Sequence, residues 1–275
     1  MSLKIGLIAG SGDFPLEVIK SITKQKKDVF VIGIKGSASK EIEHYPHHWI
    51  RMGQIGNAIK VLKKNNCKDL IIIGGVKKPN VWLLYPDLGA LKLFFRLILL
   101  TNKGDASILK TLIHFLEKDN DFNIIGAEGY INHLLMTQGL IAGKNLSDED
   151  KRDIKIAVNN CHQIGLKDVG QACVVVDGQV ISSEDALGTD KMLKEIISKE
   201  ISFNNKGVLV KMVKPFQDRR VDLPAIGMRT IELINKIGLS GIVLEANSAF
   251  ISEKDKVIEY ANENELFIYG LEENG

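Results

Sequence analysis

Short, continuously apolar runs alternate with amphipathic stretches through the first half of the chain, and this alternation limits the fold more than any other feature. Residues 5–9, 29–34 and 70–74 are almost wholly apolar at successive positions. Strands of that kind are covered on both faces, as in parallel sheets. Between and after them, residues 15–26, 56–65, 88–99 and 107–118 carry apolar side chains at helical spacing. Residues 124–127 read as a further strand. Strand followed by helix, repeated, predicts an α/β domain with a mainly parallel sheet.

The second half changes character. Residues 126–143 lead away from the first sheet through a helix-like 130–138, and a charged amphipathic helix over 148–164 follows. Strand-like runs then appear at 172–177, 179–182, 207–212 and 241–244, with helices at 189–199 and 228–237. Asp177-Gly178 between two apolar runs is a two-residue hairpin turn. Residues 250–252 and 266–269 read as closing strands around an acidic helix, 254–264. The expected division is two α/β domains, 1–132 and 133–275.

Composition narrows the class. The 275 residues are 45% hydrophobic and 25% charged, an ordinary globular balance. A net charge of +2 gives no ground for nucleic-acid binding. Cys67, Cys161 and Cys173 are far apart, which predicts buried, reduced thiols. The first residues lack the pattern of a signal peptide. No apolar run reaches the ~18 residues of a membrane span. The nearest, 81–100, is interrupted by Pro86, Asp87, Lys92 and Arg96. Its apolar part, 88–100, suits a core or subunit interface, and alternatively a surface for acyl chains or a bilayer.

The densest chemistry lies in residues 214–224. Lys214, Asp218, Arg219, Arg220 and Asp222 sit between a predicted strand and a predicted helix, bounded by Pro215 and Pro224. Loops at the carboxyl ends of strands are where α/β folds place ligands. Guanidinium forks suit phosphate, and carboxylates suit a divalent metal or an activated water. A solvated turn closed by surface ion pairs is the plain alternative. The turn Gly10-Ser11-Gly12-Asp13-Phe14-Pro15 precedes a helix whose N-terminus favours an anion. Pro15 stands where a dinucleotide fingerprint has its third glycine, which argues against a nicotinamide oxidoreductase. The turn Gly74-Gly75-Val76-Lys77-Lys78-Pro79 sets two lysines beside a glycine pair. Glu184, Asp185 and Asp190 can share a magnesium ion through waters, or merely favour a helix start capped by Thr189 or Asp190. His44, His47 and His48 fall in a proline-containing loop, and the histidines show no zinc spacing.

Taken in order, these segments resemble the LpxI-type UDP-2,3-diacylglucosamine diphosphatases of bacterial lipid A synthesis. The matching stretches are 5–16, 74–79, 86–88, Gly104-Asp105, Val169-Gly170-Gln171-Ala172, 184–190 and 214–224. Lys77 and Lys78 stand where arginine is common in that family, and Phe216 where glycine is common. The resemblance implies a Rossmann-like, nucleotide-binding-like first domain and a distinctive α/β second domain. It implies magnesium-assisted attack of water on the α-phosphorus, giving UMP and 2,3-diacylglucosamine 1-phosphate (lipid X). It also implies a cytoplasmic enzyme working peripherally at the inner face of the inner membrane, often as a homodimer.

The resemblance carries an essential aspartate onto 214–224 without choosing between Asp222 and Asp218. Asp222 is preferred because Leu223-Pro224 fixes its backbone just before a helix. Arg219, Arg220 and Lys214 would neutralise the pyrophosphate beside magnesium, with Asp222 and Asp190 as metal ligands. Gly10, Ser11, Gly12, Asp13, Pro15, Gly74, Gly75, Lys77 and Lys78 would hold the nucleotide end. Gln171, Gly188, Thr189, Lys211 and Gln217 complete the expected substrate contacts. A non-catalytic nucleotide-sugar or lipid-binding protein on the same scaffold is the alternative. The acyl chains require a long apolar groove that the sequence does not locate.

Overall fold

The computed structural model describes residues 3–76, 86–93, 108–185 and 187–272. It divides into two compact units, Met1–Asn132 with Arg220–Asp222, and His133–Arg219 with Leu223–Gly275.

The first unit is built on a five-stranded sheet: β1 (Lys4–Ala9), β2 (Val29–Ile34), β3 (His47–Ile50), β4 (Cys67–Ile73) and β5 (Asn123–Ile124). The order is β3-β2-β1-β4-β5, and every neighbouring pair is parallel. The chain runs outward from β1 to β3, then returns to the other side of β1. The topological switch point therefore lies between β1 and β4, the usual ligand position in open parallel sheets. Leu7, Val31, Ile32, Leu70 and Ile71 are fully buried. Each such side chain stabilises the fold by roughly 1.5–3 kcal/mol.

Helices α1 (Phe14–Lys24), α2 (Ile55–Lys64), α3 (Ile108–His114) and α4 (Glu128–Ile131) belong to this unit. Pro15 sits in the first turn of α1, where its absent N–H leaves no helical bond unmade. Ala58, Ile59 and Leu62 of α2 face inward, while Lys63 and Lys64 end the helix at the negative pole of its dipole. Three expectations change here. His47 and His48 lie on strand β3 rather than in a loop. The 107–118 helix becomes a π-turn at Phe115–Asp119. The 130–138 helix is replaced by the end of α4 and a 3-10 turn at Asn132–Leu134. Residues 88–93 are helical, with Leu93 buried in the first core and Leu88 and Leu91 exposed. Residues 94–100, Gly104 and Asp105 lie outside the described residues.

The second unit contains β6 (Gly139–Ala142), β7 (Ala172–Val176), β8 (Gln179–Ser183), β9 (Val208–Lys211), β10 (Ala225–Ile226), β11 (Gly241–Glu245), β12 (Phe250–Ile251) and β13 (Phe267–Leu271). Six of these form a sheet in the order β6-β13-β11-β9-β7-β8, while β10 and β12 pair separately. The central strands β9, β11 and β13 are parallel; β6, β7 and β8 are joined antiparallel. Its helices are α5 (Asp148–Leu166), α6 (Thr189–Ser198), α7 (Met228–Ile237) and α8 (Lys254–Glu263). One core joins α6, α7 and α8 to the sheet through Leu193, Ile234, Ile242, Leu244 and Val257. The other packs Ile154, Ala157 and Cys161 of α5 against Cys173, Val210, Val243 and Phe267.

Local chemistry explains these elements. Asp177 (φ 49°) and Gly178 (φ 80°) both take positive φ, the signature of the tight hairpin joining β7 to β8. Their N–H groups donate to the buried Asp153 carboxylate at 3.0 and 2.7 Å. Ser147 and Asp150 form a reciprocal capping box at the start of α5. The cap of α6 is Gly188 at φ 90°, not Thr189 or Asp190. All three cysteines are free and buried. Burial pushes the Cys67 thiol up to about 11. Among the described residues no helix is long and apolar enough to cross a membrane.

Helix α2 has no side chain of its own at its cap. Asp87 supplies one from a distant position. Its carboxylate accepts from Gly56 N at 3.0 Å, Asn57 N at 2.8 Å and Ala90 N at 2.9 Å. Burial pushes the Asp87 pKa up, but N–H donors from Ala90, Asn57, Gly56 and Gly89 outweigh it and hold the group below its usual range. A depressed carboxylate contributes stability above its unfolded pKa of about 3.9, lost as pH falls through the folded value. Asp87→Ala should therefore destabilise the protein by about 1–2 kcal/mol at neutral pH. In urea titrations followed by tryptophan fluorescence, that gap should close below about pH 4. A gap unchanged down to strongly acid pH would contradict the capping role.

Candidate active site

In the first unit, the two glycine turns sit at the switch point and are tied to each other. Ser11 N–H donates to Gly75 O at 2.6 Å, and Gly75 N–H returns a bond to Ser11 O at 3.0 Å. The Ser11 hydroxyl also donates to Gly75 O at 3.0 Å. A Cβ on Gly10 would lie 2.4 Å from Gly75 O, and Gly74 takes φ 95°, so both positions require glycine. The start of α1 lies in the first of these turns, and its cap residue Asp13 makes no side-chain capping bond. Gly10, Ser11, Gly12, Asp13, Pro15, Gly74 and Gly75 thus gather around a helix N-terminus, an arrangement suited to an anion. Lys77 and Lys78 lie outside the described residues.

In the second unit, the loop after β9 is anchored by Glu245 at the end of β11. Glu245 accepts from Val213 N at 3.1 Å and from Arg219 Nη2 at 2.9 Å. Its side chain is 5% exposed, against 44% for Arg219. The other Arg219 nitrogen, Nη1, donates to Ser248 Oγ at 3.0 Å. Gln217 Oε1 accepts from Lys214 N at 2.9 Å, closing the turn over Pro215 and Phe216. Lys214 Nζ pairs with Asp168 at 2.7 Å. Because Asp168 is 68% exposed, that pair is worth under about 1 kcal/mol. The buried Glu245 is the stronger anchor.

Arg220, Val221 and Asp222 belong to the first unit. Arg220 Nη1 donates to Glu117 at 2.6 Å and to Ile124 O at 3.2 Å. Val221 packs against the first core. Asp222 is partly buried, and none of the described hydrogen bonds or ion pairs ends on its carboxylate. Lys214, Arg219 and Arg220 are each held by a carboxylate from another element. Asp222 is the contrast: among the described residues no partner holds its carboxylate.

A buried polar chain lies beside this loop. Lys211 Nζ donates to Thr189 Oγ1 at 3.0 Å and to Ala225 O at 3.1 Å. Thr189 in turn donates to Glu184 Oε1 at 2.8 Å, and Gln171 N–H donates to Glu184 Oε2 at 2.9 Å. Buried charges persist only when joined in this way. Met212 N–H donates to Gln171 O at 2.9 Å, which sets Gln171 at the root of the loop. Among the described residues, the buried Gln171 Oε1 and Gln217 Nε2 have no hydrogen-bond partner. An acceptor and a donor left open are what a polar ligand would complete.

The acidic segment 184–190 divides its carboxylates among three tasks. Glu184 joins the buried chain, Asp185 accepts from Leu187 N at 2.7 Å, and Asp190 pairs with Arg229 at 3.1 Å and accepts from Thr230 at 3.3 Å. Among the described residues no three His, Cys, Asp or Glu side chains are arranged to hold a metal. Sequence reasoning missed Glu245, Ser248, Glu117 and Asp168. Glu245 directly follows the apolar run 241–244, so its place at a strand end was readable. The others carry no such signal.

Comparison with known proteins covers the chain almost end to end. The description "LpxI N-terminal domain" matches residues 4–134, and "LpxI C-terminal domain" matches 137–269. A UDP-2,3-diacylglucosamine pyrophosphatase LpxI from Caulobacter vibrioides is 32% identical over 274 residues, 98% of each chain. Among solved structures, the biotin carboxylase domain of a thermophilic 2-oxoglutarate carboxylase bound to ADP aligns with 72% of this chain and 40% of its own. That alignment has a TM-score of 0.23 and 11% identity, too slight to inform the fold.

Two carboxylates of this site should separate by stability. Glu245→Ala strips a buried partner from Arg219 and from the Val213 amide. It should lower unfolding free energy by roughly 2–4 kcal/mol. Asp222→Ala loses no described partner and should change it by under about 0.5 kcal/mol. Urea denaturation of both variants checks this. Equal losses would make Asp222 a structural residue.

Proposed function

The chain belongs to the LpxI family, and we propose that it hydrolyses the pyrophosphate of UDP-2,3-diacylglucosamine to UMP and 2,3-diacylglucosamine 1-phosphate. The observation that carries this reading is the 32% identity to a relative of that activity over 98% of both chains. Water attacks the α-phosphorus and Asp222 takes its proton. The bond from the α-phosphorus to the bridging oxygen breaks, and that oxygen leaves with the lipid phosphate. The half-buried carboxylate of Asp222, without a partner among the described residues, supports its choice over Asp218. Arg219 and Arg220, 44% and 38% exposed, bring positive charge to the pyrophosphate. Gln171 and Gln217 contribute the open acceptor and donor.

Magnesium fits this chemistry through Asp222 alone. Magnesium binds through one or two carboxylates, waters and substrate phosphates, so a three-carboxylate cage is not required. Asp190 would have to release Arg229 to join it. The ion would neutralise charge on the phosphoryl oxygens. Because the substrate carries two acyl chains, the reaction belongs at a membrane surface, and we place the enzyme peripherally on the cytoplasmic face, as a homodimer. Leu88, Leu91 and Lys92, exposed on residues 88–93, suit such contact.

With magnesium, the purified protein should release UMP from UDP-2,3-diacylglucosamine and lose this activity in excess chelator. In heavy-oxygen water the label should appear in UMP. Label in the lipid phosphate would move the attack to the other phosphorus. Asp222→Ala and Asp222→Asn should each lower kcat by about 10²–10⁴-fold. Near wild-type turnover in both would transfer the role to Asp218.

A further inference from the structure

Helix α3 does not end as an ordinary helix. Its chain widens into the π-turn Phe115–Asp119, a rare geometry that recurs at functional sites. The turn is firmly built. Phe115, Leu116, Phe122 and Ile124 are buried in the first core. Asn120 Nδ2 donates to Phe115 O at 2.9 Å, and Phe122 N–H donates to Leu116 O at 3.1 Å. Carbonyls that a helix end leaves over are thereby satisfied. Glu117 stands between these anchors with its side chain 25% exposed. An extra residue in a helical turn shifts the side chains that follow by about 100° around the axis. The widened turn is where Glu117 meets Arg220.

Arg220 Nη1 donates to Glu117 Oε1 at 2.6 Å and to Ile124 O at 3.2 Å, so one guanidinium is held from both ends of a single rigid segment. Val221 then packs on the first core, and Asp222 follows it in the chain. Three consecutive residues of the charged loop are fixed in this way to the first unit. With Arg220 38% exposed, the ion pair adds little to stability. What it sets is direction. We infer that Glu117 is a positioning residue for the proposed hydrolysis, holding Arg220 so that Asp222, two residues on, is aimed at the attacking water. The inference rests on the proposed reaction and adds to it a residue from a remote part of the chain that acts through Arg220. Direct contact with the pyrophosphate does not suit a carboxylate, which the phosphates would repel.

Glu117→Ala removes the hold but keeps the Arg220 charge. In steady-state kinetics with UDP-2,3-diacylglucosamine and magnesium, it should lower kcat by roughly 10–100-fold and change KM by less than about threefold, because a misplaced group costs rate more than binding. Glu117→Gln keeps an oxygen for Arg220 and should bring kcat back to within about fivefold of the wild type. The double variant Glu117→Ala/Arg220→Ala should be no slower than Arg220→Ala alone, since the two residues act as one unit. Hydrogen exchange of the full chain should quicken over residues 216–224 in Glu117→Ala and stay near the wild-type rate in Glu117→Gln. A Glu117 with a merely structural role would shift the urea midpoint and leave kcat of the folded protein unchanged. That result, losses that multiply in the double variant, or exchange over 216–224 unaltered by Glu117→Ala would overturn the inference. If the wild type cleaves no UDP-lipid, the reaction assignment falls, and hydrogen exchange still decides whether Glu117 fixes residues 220–222.

Discussion

The second unit's loop depends on one buried carboxylate. Glu245 ends β11 at 5% exposure and takes the Val213 amide with one oxygen and Arg219 with the other. An ion of this kind in a low-dielectric setting costs several kcal/mol unless its partners are well placed. The loop's shape is therefore dictated from the sheet. Residues 214–224 carry five charges, and folding assigns the three cations to Asp168, Glu245 and Glu117. On the proposed reaction, such fixed charges would need little reorganisation when a pyrophosphate arrives, which is how preorganised sites stabilise developing charge.

The same assignment uses most of the carboxylates of this region to hold the fold. Glu117, Asp168, Glu184, Asp190 and Glu245 each satisfy a donor of the fold. Asp222 satisfies none of the described ones. The paired glycine turns of the first unit follow a related logic. Gly10 and Gly74 give up side chains so that two strand ends can bond directly at the switch point.

Much of the architecture was legible because apolar runs such as Val29–Ile34 leave little choice of structure. The hairpin at Asp177-Gly178 was legible from turn chemistry alone. Strand β3 was not, because His47-His48-Trp49 is too polar to read as apolar and the strand gains its place by pairing with β2. Strand β6 is four residues after a turn and is recruited by β13. Gly188 displaced Thr189 as a cap because the chain needs a positive φ there, leaving the Thr189 hydroxyl to join Lys211 to Glu184. In the site, the loop 214–224 stood out by charge density. Which of its charges are held could not be read, since Glu117, Asp168 and Glu245 come from remote parts of the chain. The family resemblance points to Gln171 and Lys211, and no spacing rule connects them.

The central claim is that Asp222 faces the reacting pyrophosphate while Glu245 only holds the frame. A crystal structure of Asp222→Asn with intact UDP-2,3-diacylglucosamine tests it most directly. The account predicts a pyrophosphate oxygen, or a single bridging water, within hydrogen-bond reach of the residue 222 amide, with Glu245 still on Arg219. A pyrophosphate seated away from residue 222, or one that draws Arg219 off Glu245, would contradict it.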